Sequence, residues 1–262
     1  ILAGGGGTDT VAVTLTAASM TAVANTNGMA RIEKITFAGS GALNANVAIN
    51  NGTFVTEIVV GVLYTVVGDV DASAMVGTGA LTFNGALETD SKINITGGRG
   101  ADILTGGSKA DTIIGGYGAD NITGGPGIDN LSGGAGGDTF TIATKANFTL
   151  LTTAETVSGG GGSDTIDITD ATGVSITAAD LINISSVEKI EFGGAGDDSI
   201  VLSDQVFTGN GATSIKIENS AAGTMTVNAA GVSATNSVNY AYDGAAANIA
   251  VVDTVTGGSG ND

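Results

Sequence analysis

The sequence predicts an all-β chain built by stacking short repeats, and three observations support this. Glycine is abundant, 44 of 262 residues, yet proline occurs once. Glycine does not recur at every third place, which excludes collagen. Short runs rich in Val, Ile and Thr alternate with glycine turns, the pattern of strands. Finally, a nine-residue unit occurs five times without a gap between residues 97 and 141. Self-similarity at a fixed short period favours a quasi-one-dimensional stack over a globule.

Composition narrows the partners before any motif is considered. Eight Lys and Arg stand against 26 Asp and Glu, a formal charge of −18. Such a surface is repelled by phosphate backbones and anionic lipids, so neither nucleic acid nor membrane insertion is expected, and cations are the natural partners. Cysteine is absent, which removes disulfides and thiolate metal sites. Histidine is absent too, and with it the usual general base, the Ser-His-Asp triad and His-rich zinc sites. The chain does not begin with Met and shows neither a signal peptide nor a long apolar run, so it is expected to be a segment of something longer.

Residues 1–96 form the first expected lamina, opened by one nonapeptide, GGGGTDTVA, ending its turn at Asp9. Within it, ARIEKITF alternates Ile32, Ile35 and Phe37 with polar residues, the period of a half-buried strand. Residues 97–141 are the tandem block: GGRGADILT, GGSKADTII, GGYGADNIT, GGPGIDNLS and GGAGGDTFT. Each unit opens with two glycines, carries Asp at its sixth place (Asp102, Asp111, Asp120, Asp129, Asp138) and a large apolar residue at its eighth (Leu104, Ile113, Ile122, Leu131, Phe140). Lys109 takes the fourth-place glycine of the second unit, which predicts a strained turn or a weaker ion there.

Residues 142–158 read as a connector, and 159–262 as a second lamina. It carries single nonapeptides at 159 and 193, with Asp164 and Asp198, and a truncated GGSGND ending at Asp262. The second lamina repeats the first: a shift of 155 residues lays GGGGTDT on GGGGSDT and ARIEKITF on SSVEKIEF, whose Val187, Ile190 and Phe192 supply the apolar face. At AGSGALNAN the first copy has Leu43 where the second has Asp198, a turn that kept its shape and lost its carboxylate. Joined tail to head, the chain ends read GGSGNDILA GGGGTDTVA, two nonapeptides in phase. Two readings stay open: one period of a longer array or a protomer docking on its copy, and a segment cut within a repeat-rich region.

The nonapeptide has the chemistry of a hard-cation site. Successive glycines reach backbone conformations closed to other residues, so a short turn can aim several carbonyl oxygens inward. Here they are Gly98 and Gly100, Gly107, Gly116 and Gly118, Gly125 and Gly127, and Gly134 and Gly136. An Asp closing the turn adds carboxylate oxygens, and carbonyls with carboxylates at flexible spacing suit Ca²⁺ better than Mg²⁺. Asx turns alone would not require a strict nine-residue period. After the turn, three residues form a short strand with one apolar side chain inward, so each unit is half a coil of a flattened solenoid.

The pattern G-G-x-G-x-D-x-U-x resembles the RTX (repeats-in-toxin) calcium-binding family. The resemblance implies a parallel β-roll in which two nonapeptides complete a coil and calcium ions lie in rows between stacked turns. It pairs Asp102 with Asp120, Asp111 with Asp129, and Asp120 with Asp138, giving three sandwiched ions. Asp9, Asp164, Asp198 and Asp262 would need neighbours that the sequence does not identify.

Sharper chemistry finds no support. GGGGTDTV lacks the lysine of a phosphate loop and no helical pattern follows it. Asp197 and Asp198 are adjacent, and neighbouring strand residues point to opposite faces, which does not make a glycosidase pair. Glu33/Lys34 and Glu188/Lys189 read as solvent-side strand residues, and Tyr240 with Tyr242 as one packed face. No enzymatic activity is expected. The expected protein is a secreted, calcium-stabilised structural component that assembles with copies of itself, most like surface-layer proteins and large RTX adhesins. The alternatives are an adhesion module binding a cell-surface glycan, and the calcium-binding region of an exported enzyme or toxin.

Overall fold

In the computed structural model, side chains are described for residues 68–75, 78–89, 91–144, 155–207, 213–220, 223–242 and 254–259; elsewhere only backbone within strands and one short helix is described. The chain forms two compact units, Ile1–Asp138 and Thr139–Asp262. Each is a parallel β-solenoid. Ile32, Leu43 and the side chains of the first copy of the long repeat lie outside the described residues.

Besides a short parallel pair, Leu2–Ala3 with Met29–Ala30, the first unit has two long parallel sheets. One runs in the order Thr10–Leu15, Lys34–Ser40, Val67–Val76, Lys92–Thr96, Thr112–Tyr117, Asn130–Ala135. The other runs Thr21–Asn25, Asn44–Asn50, Leu81–Leu87, Ile103–Thr105, Asn121–Thr123. Among the described residues its one antiparallel pair is Glu57–Val59 with Val62–Tyr64. In-register stacking turns sequence period into apolar ladders. Val70, Ile95, Ile113 and Leu131 are successive partners in the first sheet, and Phe83, Leu104 and Ile122 in the second. All seven are at most 1% exposed. The eighth place of each nonapeptide thus points inward, as its chemistry predicts.

Within the tandem block a coil takes eighteen residues, since Asp102 meets Asp120 in the next coil. Such a coil offers two large apolar residues, one per nonapeptide, so its core is thin. Outside the block the coils lengthen, as between Val174 and Asp198, twenty-four residues apart.

The second unit builds one sheet from Thr139–Ile142, Thr165–Ile168, Lys189–Phe192, Ser214–Asn219 and Ser237–Tyr242. A second contains Ser175–Ile176, Asp198–Ser203, Met225–Gly231 and Thr254–Thr256, and Thr156–Gly161 pairs with Ile184–Ser185. Phe140, Ile166, Ile190 and Ile217 form one buried ladder, and Ile142, Ile168 and Phe192 a second. The second ladder continues in Asn219, only 1% exposed, whose Nδ2 donates to the Gly223 carbonyl at 3.1 Å. That bond answers the cost of a buried amide.

Lys189 is half-buried rather than simply solvated: its Nζ reaches Glu191 at 2.7 Å and Glu218 at 3.3 Å. Tyr240 continues the inward face begun by Val238, whereas Tyr242 at its edge is exposed. Among the described residues no helix is long and apolar enough to cross a membrane.

Candidate metal centre

The nonapeptide turns place their carboxylates inside the protein. Asp102, Asp111, Asp120, Asp129, Asp138 and Asp164 are all buried, at 2% exposure or less, and Asp198 is buried at 5%. Asp9 and Asp262 lie outside the described residues. Backbone N–H groups hold these carboxylates. The amide of Asp102 donates to Asp120 Oδ1 at 2.8 Å, that of Asp111 to Asp129 Oδ1 at 2.8 Å, and that of Asp120 to Asp138 Oδ1 at 2.9 Å. The expected pairs therefore meet, linked through an amide of one coil and a carboxylate of the next.

The coil below the block meets the same need without a repeat. Leu81 N–H donates to Asp102 Oδ1 at 2.7 Å and Ile93 N–H to Asp111 Oδ1 at 2.8 Å. In the second unit Val174 N–H donates to Asp198 Oδ1 at 2.7 Å. Asp197 points the other way, exposed, and accepts from Thr224 N–H and Oγ1 at 2.9 and 2.7 Å.

Glycine is required where turns stack. A Cβ on Gly118 would strike the Gly100 carbonyl, one on Gly136 that of Gly118, and one on Gly116 would lie 2.5 Å from the Gly98 carbonyl. In the first four units the first glycine packs against its own aspartate. At Gly115 a Cβ would occupy the space between Asp120 Oδ2 and the Gly133 carbonyl, and at Gly97 that between Asp102 Oδ2 and the Gly115 carbonyl.

This arrangement is electrostatically unfavourable by itself. Burial pushes the Asp120 and Asp129 carboxyls up to about 7, and neighbouring carboxylates add to it: Asp102 and Asp138 for Asp120, Asp111 for Asp129. Burial raises Asp111 and Asp198 to about 6, although N–H bonds pull both down. Asp102 and Asp138 are raised for the same reason. Oδ2 of Asp120 and of Asp129 is buried without a hydrogen-bond partner. A bare, buried carboxylate oxygen costs several kcal/mol unless a cation meets it.

The donor set fits calcium. Among the described residues no three acidic side chains converge on one point, and turn carbonyls lie beside the aspartates, that of Gly133 near Asp120 Oδ2 and that of Gly115 near Asp102 Oδ2. Carboxylate oxygens with carbonyls in a flexible turn are what Ca²⁺ takes.

Two further residues belong with these turns, and sequence reasoning missed both. Asp164 N–H donates to Glu188 Oε2 at 2.8 Å, so Glu188 does for Asp164 what Asp120 does for Asp102. Gly159 packs against both Asp164 Oδ2 and the carbonyl of Ser186. Ser186 is the one left-handed non-glycine residue among those described, at φ 51°. Strain of this kind marks sites where a carbonyl must be aimed. The recurrence of Glu33 and Glu188 at the 155-residue shift was the available signal.

Comparison with known proteins agrees with the geometry. The RTX calcium-binding nonapeptide repeat matches in four copies, at residues 96–131, 123–141, 152–167 and 252–262. These matches take in Asp102 to Asp138, Asp164 and the closing GGSGND, but not the Asp198 turn. No curated protein matches the chain. No solved structure matches it.

Proposed function

We propose that this chain, which carries RTX calcium-binding nonapeptide repeats in a parallel β-solenoid, is a secreted structural protein that becomes rigid on binding Ca²⁺ and then assembles with copies of itself in a surface layer or extracellular filament. The observation that carries the calcium reading is the pair of buried, unpartnered Oδ2 atoms of Asp120 and Asp129. Asp120 and Asp129 would hold the ions of the tandem block, with turn carbonyls completing the shell, and the ions would supply the positive charge that the buried carboxylates lack. Extracellular calcium modules commonly bind at about 10⁻⁴–10⁻³ M, so a low-calcium cytosol would leave the chain loose and external calcium would fold it.

A structural role is supported by composition and by surface. Leu87, Ile103 and Tyr117 are large apolar or aromatic side chains at least half exposed on the first unit, available for contact with another copy. Electron microscopy and circular dichroism of the chain with and without about millimolar calcium test the reading. The expected result is ordered sheets or filaments and strong β signal with calcium, both lost in excess EDTA. If both survive exhaustive chelation, the calcium reading fails. A folded chain that stays monomeric in calcium would remove only the assembly.

A further inference from the structure

The repeat turns are not alike. In the third, fourth and fifth units the second and fourth glycines are left-handed: Gly116 and Gly118 at φ 112° and 121°, Gly125 and Gly127 at 98° and 149°, Gly134 and Gly136 at 112° and 147°. Gly160 and Gly162 of the isolated turn before Asp164 do the same, at 109° and 140°. Gly98, Gly100 and Gly107 do not, and neither does Lys109, which occupies a place that is left-handed in the later units.

The difference has a consequence for the carboxylates. In the first two units the second glycine turns its N–H onto the aspartate: Gly98 N–H donates to Asp102 Oδ2 at 2.7 Å and Gly107 N–H to Asp111 Oδ2 at 2.6 Å. Both oxygens of Asp102 and of Asp111 therefore carry a backbone donor. In the third and fourth units Oδ1 keeps its donor from the coil below, and the buried Oδ2 has none. A lysine side chain cannot follow glycine into the left-handed region cheaply, so Lys109 favours the first kind of turn rather than straining the second.

We infer that calcium is taken by the turns with left-handed glycines, at Asp120 and Asp129, whereas Asp102 and Asp111 close their own turns on backbone N–H groups and act as fixed caps, not ligands. The five aspartates of the block thus divide into ion-free caps at its start and calcium ligands after them. The left-handed turn before Asp164 falls in the second class. The inference rests on the calcium reading above and refines it, since an equal role for every repeat aspartate would predict ions at Asp102 and Asp111 also. Closed turns at the start would hold that end of the block in shape before any ion arrives, giving the calcium-dependent coils a template.

Calcium stoichiometry of the full chain, measured by equilibrium dialysis at saturating Ca²⁺, separates the two classes. D120N and D129N are each expected to lose about one ion per chain, because the amide removes the negative charge from the ligand set. D102N and D111N are expected to keep the wild-type ion number. Loss of an ion in D102N or D111N equal to that in D120N overturns the inference. Should either cap variant not fold, amide exchange in the calcium-loaded wild type decides the matter. Gly98 and Gly107 amides protected from exchange support the caps, and rapid exchange at both overturns them. A wild-type chain that binds no calcium would instead sink the functional reading itself.

Discussion

The backbone amide of Asp102 donates to Oδ1 of Asp120 across adjacent coils at 2.8 Å. The same bond joins Asp111 to Asp129 and Asp120 to Asp138, and in the second unit Asp164 to Glu188. Each repeat aspartate thus ties its own coil to the one before it. Bonds from N–H to a carboxylate are among the stronger ones in proteins, about 1.5–3 kcal/mol each. Here they register the coils to within a residue while leaving Asp120 and Asp129 each one oxygen for a ligand.

Glu188 holds the Asp164 turn from the neighbouring coil. Replacing it in E188A removes the carboxylate that accepts from Asp164 N–H and strands a buried amide. Loss of about 1.5–3 kcal/mol of stability is expected, read by urea unfolding in saturating calcium. E188Q keeps an acceptor oxygen and should recover part of it. Equal stability of E188A and the parent would show that the bond is not formed in solution.

Acid should partly replace calcium. The carboxyls of Asp120 and Asp129 stay protonated in the metal-free fold up to about pH 7 and that of Asp111 up to about pH 6. An unfolded aspartate releases its proton near pH 4. Between these limits the unfolded chain binds fewer protons, so the metal-free fold loses stability as pH rises from about 4 to about 7. In EDTA, lowering the pH from about 7.5 to about 5 should raise the Tm and the β signal, whereas in limiting calcium acid should weaken ion binding. A metal-free Tm that climbs steadily with pH over this range would contradict the burial of uncompensated carboxylates.

Two glycines should respond unequally to alanine. Gly118 is left-handed at φ 121° and a Cβ there would strike the Gly100 carbonyl, so G118A is expected to lose more than about 2 kcal/mol and to weaken calcium binding. Gly161 has no atom within 4 Å of where its Cβ would stand, and it is not left-handed. G161A should therefore change stability by less than about 1 kcal/mol. Thermal unfolding of both in calcium checks the pair. Comparable losses would mean that turn stacking is not what glycine serves here.

The amino-acid sequence by itself determined the nine-residue period, and with it the inward Leu104, Ile113, Ile122, Leu131 and Phe140 and the buried aspartates two places before them. The reason is local: a glycine turn followed by a three-residue strand sends alternate side chains to opposite faces wherever it occurs. The parallel stacking was legible for the same reason, since identical half-coils bury their apolar residues best in register.

Only the tertiary structure decided which oxygens remain open. Asp102 and Asp120 sit in nearly identical sequences, GGRGAD and GGYGAD, yet Gly98 donates to one carboxylate while Gly116 turns away from the other. Glycine permits both backbone conformations, so the choice falls to the coil lying beneath, which for Gly98 is the register-shifted part of strand Val67–Val76 at Ala72 and Met75 and for Gly116 is Gly98 itself. Glu188 escaped sequence reasoning likewise, because it meets Asp164 from the next coil, twenty-four residues away, outside any nonapeptide. Period follows from local sterics, whereas ligand sets are made between coils, and contacts between coils depend on the length of each loop.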